Sequence, residues 1–459
     1  MERGEIDTKL APYYYRPEFR QNLEALAGST HPNRVLGDLI EEIHYGAGVP
    51  PEYSNEGILF IRAMNIRDGR FDLSDIVYLD ESVHPGLDRY RLREDDLVMV
   101  RSGVNVGDTC RVPAQLAGSV NGSYSITFRV GRDLNPEYVS LFLNSRFGKL
   151  QVARVSGRSA QPNINSQEIC GLKAVVPPRP IQDAIADKMD AAYRRKRELE
   201  AEAGRLLATI DEYVLNQVGH DWGADPHSEE GNAGPASFTV WRHRVSRLDP
   251  KRYRWQGEME DTEVLRPLGT LLTARREKVD RDKYDFGNLQ LITLHFDGTI
   301  EPRDIPSWRT DVKGTLYFAQ PGDLIYSKID ARNGAISLVP NELGRVAVTS
   351  EYPVYQVKEE LILAAYLKLI LRSSRLAVLL KALASGHSGR KRIYPDQVEN
   401  IQVPVPAIEK QQEIADEVQR RIERAAVLQQ EAERIVAEAK SEVERMILGT
   451  PSPPNEFDG

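Results

Sequence analysis

The sequence predicts an α+β protein: two homologous globular α/β domains, each followed by a long helix, with the two helices paired. Three observations carry this reading. The chain has 459 residues, too many for one ordinary core. Its halves repeat one another through an ordered series of segments. Each half closes on a long ladder of apolar residues spaced alternately four and three apart.

The repeat is legible segment by segment. SGRSAQPNINSQEICGLKAVVP (Ser156 to Pro177) has a counterpart in SGHSGRKRIYPDQVENIQVPVP (Ser385 to Pro406). RVLGDLIEEI from Arg34 matches RPLGTLLTAR from Arg266, and LREDDLVMVRSGVNVG from Leu92 matches AQPGDLIYSKIDARNG from Ala319. NPEYVSLFLNS around Tyr138 matches LAAYLKLILRS around Tyr366, and the opening LAPYYYRPEF has a cousin in LDPKRYRWQGE from Leu248. One copied segment is chance; a copied order is a duplicated unit.

Within each half, short β-prone runs come first: ILFIRAMNI, DLVMVRS and YSITFRV, then LQLITLHF, DLIYSK and YPVYQV. Asp-Gly and Gly-Asp turns punctuate them. A helix follows, then the Ser-Gly-x-Ser loop, then prolines that stop one segment and set the entry to the next helix. The ladders run Ile185, Met189, Ala192, Lys196, Leu199, Ala203, Leu206, Ile210, Tyr213, Gln217 and Ile414, Val418, Arg421, Ala425, Leu428, Ala432, Ile435, Ala439, Glu442, Met446. Each is a coiled-coil seam, and the obvious partner of one is the other. Roughly 33 residues at about 1.5 Å each make a rod of about 50 Å. The expected borders are a first domain with its lead-in over 1–180, a helix over 181–218 and a Gly-, Pro- and acid-rich linker over 219–237. A second domain covers 238–406, a second helix 407–448, and a disordered tail 449–459.

Bulk composition narrows the class. Apolar content of 41% with 28% charge fits a soluble globular chain. The apolar runs are too short and too interrupted to span a bilayer, and MERGEIDTKL has no secretion-signal character. Two cysteines, Cys110 and Cys170, cannot staple a chain of this size, so a cytoplasmic location and a packing role for both are expected. The net charge of −8 is uneven: 181–218 holds 8 acidic against 6 basic residues, 407–448 holds 10 against 7, 219–237 adds −4 and the last ten residues add −2, leaving the predicted domains mildly basic. Bulk charge therefore neither requires nor forbids a polyanionic partner.

Catalytic signatures are missing. The sequence has no phosphate-binding G-x-x-x-x-G-K-[ST] loop, no G-x-G-x-x-G after a strand, no H-E-x-x-H and no paired C-x-x-C. Nor does it carry an Asn-Pro-Pro-aromatic tetrapeptide, so neither catalytic nor metal-ligating residues are assigned. Recognition is better supported. Candidate contacts lie in loops between β segments: Arg62, Asn65 and Arg67 in FIRAMNIRDG, Arg101 and Ser102 in MVRSG, and Ser327 and Lys328 in the matching place. The Ser-Gly-x-Ser loops add Arg158, Ser159, Gln161 and Asn163 in one half and His387, Ser388, Arg390, Lys391 and Arg392 in the other. Long cations suit phosphates or guanine edges, and Asn or Gln suits adenine. A merely solvated surface is the plain alternative for any one of them. Gln182 and Gln411, in the first helical turns, are expected to cap the turn or touch a partner.

The duplicated order resembles the specificity subunit of type I restriction–modification systems over nearly the whole chain. The residues that carry the resemblance are GDLIYSK with DDLVMVRSG, the Ser-Gly-x-Ser loops, and VPVPAIEKQQEIADEV with VVPPRPIQDAIADKM. PPRPIQD departs from the family's usual apolar residue and glutamine pair, which bears on Gln182. The resemblance implies two target-recognition domains, each binding half of a split double-stranded DNA site, with the helices antiparallel as the ruler between them. It also implies methyltransferase subunits that bring S-adenosylmethionine, a motor-nuclease subunit, no cofactor bound by this chain and no membrane. The rival is a non-DNA adaptor whose duplicated domains grip protein or glycan on a coiled-coil spacer; a self-sufficient nuclease or methyltransferase is disfavoured by the missing motifs.

Overall fold

The computed structural model describes residues 12–48, 52–84, 86–157, 161–218, 265–280, 289–303, 314–384 and 392–450. The expected linker, the second lead-in and most of the expected tail lie outside the described residues. Two compact units emerge: unit 1 is Met1–Glu200 with Gln429–Gly459, and unit 2 is Ala201–Leu428. Both borders fall inside the long helices, so each unit takes a piece of each.

Unit 1 runs α1 (Pro17–Ala27), β1 (Asn33–Val35), β2 (Ile40–Tyr45), β3 (Ile58–Ile61), the hairpin β4 (Ile66–Arg67) and β5 (Arg70–Phe71), and β6 (Val77–Leu79). It continues through β7 (Leu97–Val100), β8 (Thr109–Arg111), β9 (Val120–Asn121), β10 (Ser125–Val130), α2 (Pro136–Asn144), α3 (Arg146–Ser156), α4 (Ser166–Cys170) and β11 (Lys173–Val175). The main sheet is antiparallel with order β2-β10-β7-β8; β6-β3-β9 makes a second sheet and β1-β11 a two-stranded one. Residues of β7 are buried on both faces because strand alternation sends them to two cores. Leu97 and Met99 pack with Ile126, Phe128 and Phe142. Val98 and Val100 pack with Ile61, Ile66 and Cys110. Burial pushes the Cys110 thiol pKa up, and both cysteines are free thiols.

Unit 2 repeats the plan. It holds α6 (Ile210–Gln217), after α5 (Arg179–Ala208) has begun in unit 1, then β12 (Leu265–Pro267), α7 (Leu268–Leu271), β13 (Leu272–Ala274), the hairpin β14 (Ile292–Leu294) and β15 (Ile300–Pro302), and β16 (Leu316–Ala319). Then come β17 (Leu324–Tyr326), β18 (Ile336–Leu338), β19 (Val346–Thr349), β20 (Val354–Val357), α8 (Ala364–Arg372), α9 (Ser374–Leu383), α10 (Pro395–Glu399), β21 (Gln402–Pro404) and α11 (Ile408–Leu448). Its main sheet has order β13-β20-β17-β18, strand for strand the order of unit 1, and β12-β21 stands for β1-β11. The same buried tyrosine ties helix to strand in both: Tyr138 Oη donates to the Val175 carbonyl at 2.6 Å, and Tyr366 Oη to that of Pro404 at 3.1 Å.

The long helices meet their units through a buried amide. Gln182 Oε1 accepts the Asn135 N–H at 2.8 Å and its Nε2 donates to the Pro177 carbonyl at 2.9 Å. Gln411 does the same with the Leu363 N–H (2.8 Å) and the Pro406 carbonyl (2.8 Å), and reaches Leu361 as well. With exposures of 1% and 0%, neither is available to another molecule. The partner-contact expectation for Gln182 and Gln411 is thereby corrected: the prolines leave carbonyls that no intrahelical donor reaches, and the glutamines satisfy them.

Pairing of the helices is antiparallel. In unit 2, Lys410 Nζ bonds Gln217 at 2.7 Å while Arg421 bonds Thr209 and lies 4.3 Å over the Tyr213 ring, so numbers rise on one helix as they fall on the other. In unit 1, Ile185, Met189 and Ala192 share a core with Val436, Ala439, Val443 and Ile447, and Lys188 pairs with Glu442 at 2.7 Å. The seam departs from the predicted ladder toward the end of each helical segment. Val436, Val443 and Ile447 are buried in place of Ile435, Glu442 and Met446, and Val214 and Val218 in place of Tyr213 and Gln217. An α-helix drifts about 20° per heptad against a strict seven-residue repeat, which from Ile414 onward accumulates to about one residue position. In the first helix an interruption at Thr209 adds to it, the hydroxyl folding back on the Arg205 and Leu206 carbonyls.

Stability measurements test both the joint and the seam. Gln411→Ala leaves a buried N–H and buried carbonyls unpaired and is expected to lower unfolding stability by about 2–4 kcal/mol, read by urea denaturation of the full chain. Val443→Asp is expected to cost about 3 kcal/mol or more, whereas Glu442→Asp, one position off the seam, stays within about 1 kcal/mol in the same assay.

Candidate nucleic-acid interface

Each main sheet ends in the same construction. Strand β7 closes on Arg101, whose N–H donates to the Tyr124 carbonyl (2.9 Å) and whose carbonyl accepts from Ile164 N–H (2.9 Å). Strand β17 closes on Lys328, whose N–H donates to Glu351 (3.0 Å) and whose carbonyl accepts from Ile393 (2.7 Å). The chain returning from each Ser-Gly-x-Ser loop is thus stitched to the end of the central strand, directly beside a cation. At the start of each strand stands the aspartate of DDLV and GDLI. Asp96 accepts from Arg93 N–H at 2.7 Å and pairs with Arg129. Asp323 accepts from Gln320 N–H at 2.7 Å and takes both Nε (2.6 Å) and Nη2 (3.1 Å) of Arg275. The aspartates in these motifs close the turn that launches the strand; the cations at the other end are what it presents.

In unit 1 the surroundings of Arg101 are aromatic and amidic. The guanidinium carbon lies 4.8 Å from the Tyr45 ring centroid, and Nη2 reaches Asn163 Oδ1 at 3.4 Å. Tyr45 Oη accepts the Ser166 N–H (3.3 Å) and lies 3.4 Å from its hydroxyl. Those contacts with Ser166, with Arg101 nearby, hold the Tyr45 phenol pKa below its ordinary value. Tyr45 is 38% and Tyr124 65% exposed. Gly46 is forced here by close approach: a Cβ would stand 2.2 Å from the Gly122 carbonyl oxygen, so only glycine lets the end of β2 pass the β9–β10 turn. In unit 2 the equivalent place is charged rather than aromatic. Lys328 Nζ donates to the Ser350 carbonyl at 2.6 Å, and Arg392 pairs with Glu351 at 3.4 Å.

The sequence candidates divide accordingly. Arg101, Ser102, Gln161 and Asn163 gather at one end of the unit 1 sheet, with Ser102 and Asn163 bridged as antiparallel neighbours and Gln161 exposed. Lys328 and Arg392 gather at the matching end in unit 2. Arg67 is exposed on the β4–β5 hairpin. Arg158, Ser159, His387, Ser388, Arg390 and Lys391 lie outside the described residues. Three candidates are corrected. Asn65 is 3% exposed and taken up by the backbone, accepting from Arg62 N–H and donating to Asp72 and Asp75 carbonyls. Arg62 is held by Asp75, at 2.8 Å to its carboxylate and 2.6 Å to its carbonyl. Ser327 is 5% exposed, its hydroxyl capping Asp330 N–H at 3.1 Å, because strand alternation turns it inward beside outward Lys328. Tyr45 and Tyr124 were missed; alternation in IEEIHYG fixes only which face a residue takes, and register with β10 was needed to bring Tyr45 to Arg101.

Among the described residues no group of three or more His, Cys, Asp or Glu is placed to hold a metal, and no helix is long and apolar enough to cross a membrane. The chain thus holds two duplicated sheet units, each presenting cations at one sheet end and each joined to antiparallel helices. Residues 309–436 match the Methylase_S family, the Type I restriction modification DNA specificity domain. The chain is 24% identical over 179 residues to the type I restriction enzyme EcoKI specificity subunit of Escherichia coli, covering 38% of each chain. It is 31% identical over 96 residues to the HindI specificity subunit of Haemophilus influenzae, covering 21% of each. These matches span well under half the length of the relatives. A solved chain described under the complex assembly and conformational transition of the type I R-M system is similar in fold, with a TM-score of 0.50 at 15% identity, covering 91% of this chain and 95% of that one. Residues 309–436 thus carry a type I restriction–modification specificity domain, and parts of the chain are similar to specificity subunits. The matched domain lies mostly in unit 2, and the repeated strand order extends the likeness to unit 1.

Asn65→Ala is expected to lose about 2–3 kcal/mol of stability, because the Arg62 N–H and the Asp72 carbonyl lose their partner and the Asp75 carbonyl loses one of two, while Lys328→Ala stays within about 1 kcal/mol. Hydrogen exchange at the Arg62 amide, which Asn65 protects, checks the first independently of global unfolding.

Proposed function

We propose that this chain is the DNA-reading subunit of a type I restriction–modification complex. Each unit binds half of a bipartite double-stranded target and the antiparallel helices serve as the spacer. Methyltransferase subunits dock on the chain and bring S-adenosylmethionine, and a motor-nuclease subunit joins for cleavage; the chain itself contributes recognition and no catalytic group. The observation that carries this is the recurrence, at the same strand end in both units, of a backbone-anchored cation beside the returning Ser-Gly-x-Ser loop: Arg101 in one, Lys328 in the other. A single such cation is surface chemistry. Two at equivalent positions, in a chain matching a DNA specificity domain, favour a repeated anionic ligand over a protein or glycan.

The net charge of −8 is compatible with this, since its acid excess is concentrated in the helical segments and in 219–237. Few phosphate contacts per unit imply modest affinity for the chain alone and a shallow salt slope. Gel-shift binding to random-sequence DNA, with and without methyltransferase subunits, is the test. Salt-sensitive binding is expected in at least the assembled form, and its absence from both overturns the proposal. Lys328→Ala is expected to weaken binding about 5–10-fold and to lower the salt slope by about one unit if the lysine meets a phosphate.

A further inference from the structure

We infer that Arg101 reads a guanine in the half-site bound by unit 1, through a guanidinium fork set in place before DNA arrives; this rests on the DNA-reading proposal above. Several arginines of unit 1 are already committed. Arg62, Arg91, Arg111, Arg129, Arg146 and Arg179 each pair with a carboxylate. Arg101 pairs with none among the described residues. Its Nε is sealed from solvent with no hydrogen-bond partner among the described residues, so the residue bears a desolvation cost that they do not offset.

The position is nonetheless fixed. The main chain is bonded on both sides, the Tyr45 ring lies beside the guanidinium carbon, and Asn163 holds one Nη2 hydrogen. Tyr45 is itself held by Ser166. A phosphate contact demands none of this, because a phosphate accepts a cation from many directions and a mobile side chain serves. Guanine presents O6 and N7 as two acceptors in a fixed pair, matched by the two-donor edge of one guanidinium, and a prepositioned fork loses little rotamer freedom in meeting them. The aromatic floor also excludes lysine as an equal substitute. Unit 2 has no such device at this place: Lys328 is bonded to the Ser350 carbonyl, and among the described residues no ring stacks against it. The two units therefore read by different chemistry at equivalent positions.

The full chain, assembled with its methyltransferase subunits, is bound to a randomised DNA library and the bound fraction sequenced. Wild type is expected to yield a two-part motif with a guanine in one half. Arg101→Ala and Arg101→Lys are expected to lose preference at that one position while the other half stays intact, which also shows the variants folded. Affinity for the parent sequence falls about 10–100-fold. Replacing that guanine by 7-deazaguanine, which lacks the N7 acceptor, weakens wild type about tenfold and leaves Arg101→Ala unchanged. Uniform weakening across all sequences makes Arg101 a phosphate contact and overturns the inference, as does an unaltered motif. If wild type shows no salt-sensitive binding, the DNA-reading proposal itself falls first.

Discussion

The joint between helix and sheet unit rests on one buried side chain, written twice. Gln182 and Gln411 each sit a few residues past a proline-terminated strand segment, where carbonyls point inward and no amide of the coming helix can reach them. An apolar side chain there would leave those carbonyls and the N–H of Asn135 or Leu363 stranded in a dry interior. A shorter amide would not reach both. The glutamine bonds donor and acceptor together at each joint and so fixes the angle at which the helix leaves its unit, on which the helix pairing in that unit then depends.

Charge is arranged by the same logic of satisfied and unsatisfied groups. The buried aspartates Asp96 and Asp323 hold the fold, each closing a turn and receiving an arginine from a neighbouring segment. They use up cations that sequence inspection alone would credit to ligand binding. Among the cations without a carboxylate partner in the described residues, Arg101 and Lys328 stand at the ends of the central strands and Arg67 on an exposed hairpin.

How far the sequence spoke for this fold depended on period and repetition. The duplication was visible because whole segments recur in order, and the structure repeats strand order, tyrosine anchors and glutamine joints to match. The helices were visible because only a long one-sided helix sustains a four-three ladder over so many turns, although a rigid ladder missed the accumulated drift that moved burial to Val436, Val443 and Ile447. The candidate site was less legible. Asn65, Ser327, Gln182 and Gln411 are polar residues at element ends, and such residues serve caps and turns by the same chemistry they would offer a ligand. Only knowing which backbone groups need a partner separates the two. Tyr45 and Tyr124 reach Arg101 through strand pairing between distant segments, which no local pattern encodes.

The division of the chain has a consequence for how it is made. The core of unit 1 includes Val436, Ala439, Val443 and Ile447, from the last turns of the final helix, whereas unit 2 is drawn from one continuous stretch. On a ribosome adding about 5–20 residues per second, the first unit to emerge waits on the order of 10–50 seconds for the residues that complete it. Every residue of the second unit is made before those that complete the core of the first.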